Sequence, residues 1–87
     1  MSDNTNSPAA TVYYADWCPF CQQLISQLNS TDTPYALVDA DRDVEASEWI
    51  KSVNNGNRIV PTVKFSDGTH ATNPPAQFVR DKIAKLS

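Results

Sequence analysis

The side chains of this sequence best suited to chemistry are two cysteines three positions apart, in Asp16-Trp17-Cys18-Pro19-Phe20-Cys21. They are the only two in 87 residues, so the chain lacks the several disulfides that staple small secreted domains. A ring this short would also remove little entropy from the unfolded chain. A structural zinc needs about four ligands, and the single histidine, His70, stands far along the sequence. Two ordinary buried thiols at helical spacing remain a bland alternative. Redox chemistry explains the pair better: one thiolate attacks an outside disulfide, and a second thiol one helical turn away is close enough to resolve the mixed disulfide.

That chemistry depends on where the pair sits. Residues 11–15 (TVYYA) are β-branched and aromatic and predict a buried strand. From Pro19, suited to a first helical turn, the apolar Phe20, Leu24, Ile25 and Leu28 recur at helical spacing and predict about three turns of helix. Cys18 is then expected at the exposed cap, where unpaired N–H groups and aligned peptide dipoles favour thiolate over thiol. Cys21, a turn further in, is expected to be more buried and more often protonated.

The remaining elements follow from pattern. Residues 35–39 (YALVD) read as a second buried strand, far enough from the first to pair in parallel. Asp41 and Asp43 place acid at the start of a helix carrying Ala46, Trp49, Ile50 and Val53, which Asn54-Asn55-Gly56-Asn57 stops. Residues 62–65, the Asp67-Gly68 turn signal and residues 69–72 predict an antiparallel hairpin with a two-residue loop. Asn73 is expected to cap a last helix that starts at Pro74 or Pro75, with Phe78, Val79, Ile83 and Leu86 inward and Lys82 and Lys85 near its negative end. The order βαβαββα predicts an α/β fold, a four-stranded mixed sheet flanked by three helices.

At this length the chain is one domain, placed at residues 10–87 behind a polar tail over residues 1–9. Seven basic residues, scattered, against ten acidic ones leave no stripe to neutralise phosphates, which argues against nucleic acid. No apolar run approaches the ~18 residues of a membrane span, and the first residues are polar, so a cytoplasmic location is expected.

The WCPFC segment, the βαβαββα order and Val60-Pro61-Thr62 together resemble the glutaredoxin branch of the thioredoxin fold. More narrowly, residues 52–65 (SVNNGNRIVPTVKF) and Thr72-Asn73-Pro74 resemble the mycoredoxins of actinobacteria. The resemblance implies an oxidoreductase that removes mycothiol from mixed disulfides on proteins, with arsenate adducts of that thiol as a further substrate, in a monothiol cycle with Cys18 as nucleophile. Cys21 can divert the intermediate to an internal disulfide. Mycothiol is then a co-substrate, with no bound cofactor or metal. The implied partners are mycothiolated proteins and, indirectly, mycothiol disulfide reductase with NADPH; a small acidic monomer is the default state. It also implies a cis bond at Val60-Pro61 facing Cys18, with the Val60 backbone pairing the bound thiol; from the residues alone Pro61 only opens a strand.

Glutathione-using glutaredoxins typically carry Gly-Gly and an acid after the last hairpin, where this chain has Ala71-Thr72-Asn73-Pro74. Mycothiol, an acetylated cysteine on a sugar–inositol unit, lacks glutathione's carboxylates and free amine and asks for neutral partners. Thr72 and Asn73 can supply them, or simply end the hairpin and cap the helix. Trp17, beside Cys18 in a loop, is expected to contact substrate. Phe20 either excludes water from the pair or packs in the core. Trp49 reads as core, His70 as an exposed strand residue, and Arg58 as a solvated loop arginine that could otherwise steer an anion. Asp16 and the acids Asp39, Asp41, Asp43, Glu45 and Glu48 read as solvated or helix-start groups. Two rival functions stay open: a dithiol carrier fed by thioredoxin reductase and serving ribonucleotide reductase, and a non-catalytic module in which the pair is structural or holds an iron–sulfur cluster between two chains.

Overall fold

The computed structural model describes residues 9–86. Seven elements follow one another: β1 (Ala10–Tyr14), α1 (Pro19–Ser30), β2 (Ala36–Asp39), α2 (Val44–Val53), β3 (Thr62–Phe65), β4 (His70–Thr72) and α3 (Ala76–Leu86). The sheet order is β2-β1-β3-β4, with β1 and β2 parallel and the other pairs antiparallel. The expected order and mixed sheet are therefore observed. The tail expected over residues 1–9 falls outside the described residues except for Ala9, whose carbonyl accepts the Ser66 N–H at 2.9 Å.

Period-2 alternation assigns the sheet faces. Ala10 and Val12 of β1, with Val63 and Phe65 of β3, point to one side and are enclosed by Leu24 and Leu28 of α1 and by Ala76, Val79 and Ile83 of α3. The opposite face carries Tyr13, stacked on Trp49 of α2 at 4.9 Å, with His70 edge-on to the same indole at 6.0 Å. Trp49 is thus half-buried on the second face rather than inside the main core.

Four local expectations need correction. β2 is an edge strand with one neighbour, so Leu37 is 46% exposed and the strand is not buried. The hairpin loop has three residues, because the Gly68 N–H bonds Phe65 O and the Phe65 N–H bonds Thr69 O, with Gly68 at φ +92° supplying the left-handed position. α3 begins after Pro75, whose carbonyl accepts from Phe78 and Val79, so Asn73 does not cap it. Phe78 lies on the flank of α3, half-exposed against Phe65, because Ala76, Val79 and Ile83 occupy the inward stripe. Lys85 does sit in the last turn, while Lys82 reaches the hairpin and pairs with Asp67 at 2.9 Å.

Candidate active site

β1 ends at Tyr14 and α1 starts at Pro19, so the intervening turn must deliver Cys18 to the helix cap. Its N–H bonds Ala15 O at 3.2 Å, and its extended backbone (φ −92°, ψ 110°) makes it the N-cap residue. A sulfur does here what a serine or aspartate oxygen usually does: Sγ accepts the Cys21 N–H at 3.2 Å. Pro19 at the first helical position has no N–H to satisfy. Aligned peptide dipoles end at this sulfur, the field that favours negative charge.

The cap position is not exposed as expected. Cys18 is 3% accessible, because capping turns the sulfur inward into a small apolar cluster of Ala15 and Cys21, with Tyr14 and Val60 packed against it. Cys21 is fully enclosed. Burial foremost, and then its side-chain hydrogen bond to Cys18, push the Cys21 thiol up to about 12, in keeping with an inner, protonated member of the pair. Both thiols are free.

Opposite the pair stands the segment before β3. The Val60–Pro61 peptide bond is cis, Pro61 is buried, and the Cys18 S–H donates to the Val60 carbonyl at 3.6 Å. This segment is fastened on both sides. Asn73, at φ +48°, donates its N–H to Pro61 O at 2.7 Å. Thr62, fully buried, donates its hydroxyl to Ile59 O at 2.7 Å and lies 3.4 Å from Asn54 Nδ2. Asn54 also donates to Ile50 O at 2.9 Å and accepts the Thr72 hydroxyl at 2.5 Å. One amide therefore ties the end of α2 to β3 and β4, a role its reading as a helix stop did not disclose.

Trp17 is 65% exposed beside the buried nucleophile candidate, and its indole N–H donates to Asp41 Oδ2 at 3.1 Å. Asp41 Oδ1 takes the Arg58 guanidinium, whose Nε–H bonds Ser47 Oγ at 3.0 Å. Arg58 is thus a paired, mostly buried side chain and not a solvated one. Asp41 belongs to this network, whereas Asp43 caps α2 through Ala46 N–H at 3.0 Å, the expected helix-start role. The signal for the network was in the register. Parallel pairing sets Tyr14 against Asp39, so the residues just past the two strand ends, Trp17 and Asp41, emerge side by side.

Phe20 is 60% exposed, which removes the core alternative. With Gln23 and Gln27 of α1 it forms one wall of an open groove of about 340 Å³, faced by Asn73 and Pro75. Among the described residues, no charged side chain lines this groove. Of the residues expected to meet substrate, the structure brings Trp17, Val60 and Pro61 around Cys18 and sets Asn73 in the groove. The hydroxyl proton of Thr72 is turned away to Asn54.

A thiol pair at the head of a helix, set against a cis-proline segment at the end of a mixed four-stranded sheet, defines a redox protein of the thioredoxin-like fold. The solved structures it resembles agree on that fold: an Archaeoglobus fulgidus glutaredoxin (TM-score 0.65, 19% identity, 91% of this chain and 89% of the other) and a Fasciola hepatica thioredoxin (TM-score 0.63, 20% identity, 97% and 86%). The glutaredoxin family model matches residues 10–71, and the chain belongs to that family. Within it, the chain is 57% identical over 77 residues to mycoredoxin 1 of Corynebacterium glutamicum, covering 88% of this chain and 95% of the relative. A putative glutaredoxin of Mycobacterium tuberculosis is 43% identical over 79 residues, covering 91% and 94%. The likeness to mycoredoxins drawn from the sequence is borne out, and the chain is a glutaredoxin-like oxidoreductase.

Proposed function

We propose that the chain reduces mixed disulfides between mycothiol and protein cysteines, with Cys18 as the exchange nucleophile. The observation that carries the exchange is the position of the Cys18 sulfur, which caps α1 on the Cys21 N–H and faces the Val60 carbonyl. The thiolate attacks the mycothiol-side sulfur; a Cys18–mycothiol S–S bond forms as the mycothiol–protein bond breaks, and the protein sulfur leaves as thiolate and takes a proton from solvent. A second mycothiol thiolate attacks the mycothiol half of the adduct, freeing Cys18 and forming mycothiol disulfide. NADPH, through mycothiol disulfide reductase, returns that disulfide to two thiols with two electrons.

Support for this thiol comes from the name of the 57%-identical relative and from the uncharged amide walls of the groove, Gln23, Gln27 and Asn73, which suit sugar hydroxyls. Trp17 flanks the approach, the Val60 backbone pairs the bound thiol beside Pro61, and Asn73, with the lone pairs left on Thr72, meets its glycoside. Support for a monothiol cycle comes from Cys21: a thiol held at about 12 is a slow resolving nucleophile near neutral pH. The enzyme acts in the cytoplasm as a monomer, with mycothiol as co-substrate and its arsenate adducts as a further substrate. No described helix is long and apolar enough to cross a membrane.

The test is NADPH-coupled reduction of a mixed disulfide, fed in parallel by mycothiol with its reductase, glutathione with its reductase, or thioredoxin reductase alone. Mycothiol is expected to support turnover, Cys18→Ser to abolish it, and Cys21→Ser to keep most of it. A natively folded but inactive Cys21→Ser overturns the monothiol cycle. Turnover on thioredoxin reductase alone identifies a dithiol carrier instead, and a coloured dimer on purification identifies cluster binding.

A further inference from the structure

Asp41 is used by neither the exchange step nor the fold's core, yet its carboxylate joins two segments that flank the reactive sulfur. One oxygen accepts the indole N–H of Trp17, the residue before Cys18. The other accepts the guanidinium of Arg58, two residues before the Val60 carbonyl that touches Cys18 Sγ. The Arg58 side chain is 27% accessible and the Asp41 side chain 39%, so the ion pair is partly withdrawn from water.

We propose that Asp41 is a specificity-determining residue: it neutralises Arg58 and so denies an anionic thiol the cation that would otherwise draw it to Cys18. This rests on Cys18 being the exchange nucleophile and deepens the reading of a site built for an uncharged thiol. With Asp41 in place, the pair presents no net charge to an incoming mixed disulfide. Without it, Arg58 keeps its Ser47 bond at 3.0 Å but loses its paired carboxylate. A fixed guanidinium next to a partly dry site attracts a carboxylate over several ångströms and takes it in a bidentate hydrogen bond on contact. Among the described residues, no charged side chain in the groove that Phe20 lines offsets this.

The experiment uses two disulfides alike in size and different in charge: one model peptide cysteine capped with 2-mercaptoethanol (neutral) or with 3-mercaptopropionate (anionic). Reduced full-length protein in a Cys21→Ser background is mixed with each, and peptide release is followed by chromatography in single turnover. In that step Cys18 acquires the small thiol and the peptide leaves as its thiolate, so no reductant is needed. Relative to Asp41-containing protein, Asp41→Asn is expected to raise the anionic-to-neutral ratio of the second-order rate constants for peptide release by about 3- to 10-fold, through tighter binding of the anionic probe, with the gain shrinking at high salt. Arg58→Gln is expected to lower the ratio, and Asp41→Asn in the Arg58→Gln background to show no gain. A purely structural role for Asp41 would change both probes alike. An unmoved ratio, an equal change for both probes, or a gain that survives removal of Arg58 overturns the proposal. Failure of Asp41-containing protein to release peptide from either probe overturns the exchange reading and this one with it, whereas release of both with an unmoved ratio overturns this one alone.

Discussion

If burial holds the Cys21 thiol protonated, the fold must lose stability as the pH rises past the range where an unfolded cysteine ionises. The group's ordinary value is 9.0, and in the fold it is raised to about 12. Above about pH 9 the unfolded chain releases this proton and the folded chain does not, so ionisation drains the folded state and stability falls with pH. Between about pH 8 and pH 10 the loss is RT ln of the unfolded ionisation factor, about 1.4 kcal/mol. At about 2.1 cal/mol/K per residue, 87 residues give an unfolding entropy near 180 cal/mol/K, and that loss becomes about 8 °C in Tm. Contributions that wild type and Cys21→Ser share cancel when the two are compared. The quantity to measure is therefore the difference between the two proteins in thermal melts with a phosphine reductant. The wild type is expected to lose about 8 °C relative to Cys21→Ser across the interval. A gap that stays constant from pH 8 to 10 would falsify the idea that enclosure controls the thiol, and with it the physical reason for a slow resolving step.

Two further perturbations probe the frame around the site. Asn54→Ala deletes the amide bonded to Ile50 O, Thr62 and Thr72; at ~1 kcal/mol for each of the two shorter bonds, about 2 kcal/mol is lost and Tm drops by about 11 °C, read by calorimetry. A drop of less than about 3 °C would show that the amide is replaceable by water. Asp67, held well below the usual carboxylate range by the Thr69 hydroxyl and by Lys82, lends stability that is present above an unfolded carboxylate's pKa of about 4 and drains away as the pH falls below it. Asp67→Asn is expected to flatten the acid limb of the stability curve, and an unchanged limb by urea titration would rule that linkage out.

Much of this was legible in advance because short-range rules governed it. Strand β1, helix α1 and the caps of α2 follow from β-branched runs, a proline at the first turn and an aspartate ahead of an apolar stripe. What escaped was set by neighbours remote in sequence. Leu37 sits in an apolar run that looks buried, but strand order leaves β2 at an edge. Phe20 keeps helical register with Leu24 yet points into a groove, because the inward stripe of α1 is already filled by Cys21, Leu24 and Leu28. Arg58 and Asp41 are 17 residues apart, and only the parallel register of β1 and β2 brings the Asp41 loop beside Trp17. The cysteines were found from their spacing, and the burial of Cys21 from its place one turn in; the enclosure of Cys18 was not, since it needs Val60, 42 residues away.

That enclosure narrows what the protein can act on. Displacement at sulfur demands that the incoming disulfide present its S–S axis to the attacking thiolate. Here Cys18 lies 3% accessible, with Val60 and Tyr14 packed against it and the aromatic residues Trp17 and Phe20 standing out at 65% and 60%. A disulfide buried in a folded partner cannot be driven into such a recess without unfolding the partner. A small thiol hung on a protein's surface can, because its free end projects and its sulfur follows. On the proposed reading, the recess favours adducts over structural disulfides by shape, and the uncharged groove with the Asp41–Arg58 pair favours neutral adducts by charge. Widening the recess tests the shape effect. Trp17→Ala is expected to raise the rate on a bulky peptide-to-peptide disulfide more than on a small adduct, and equal gains on both would refute selection by shape.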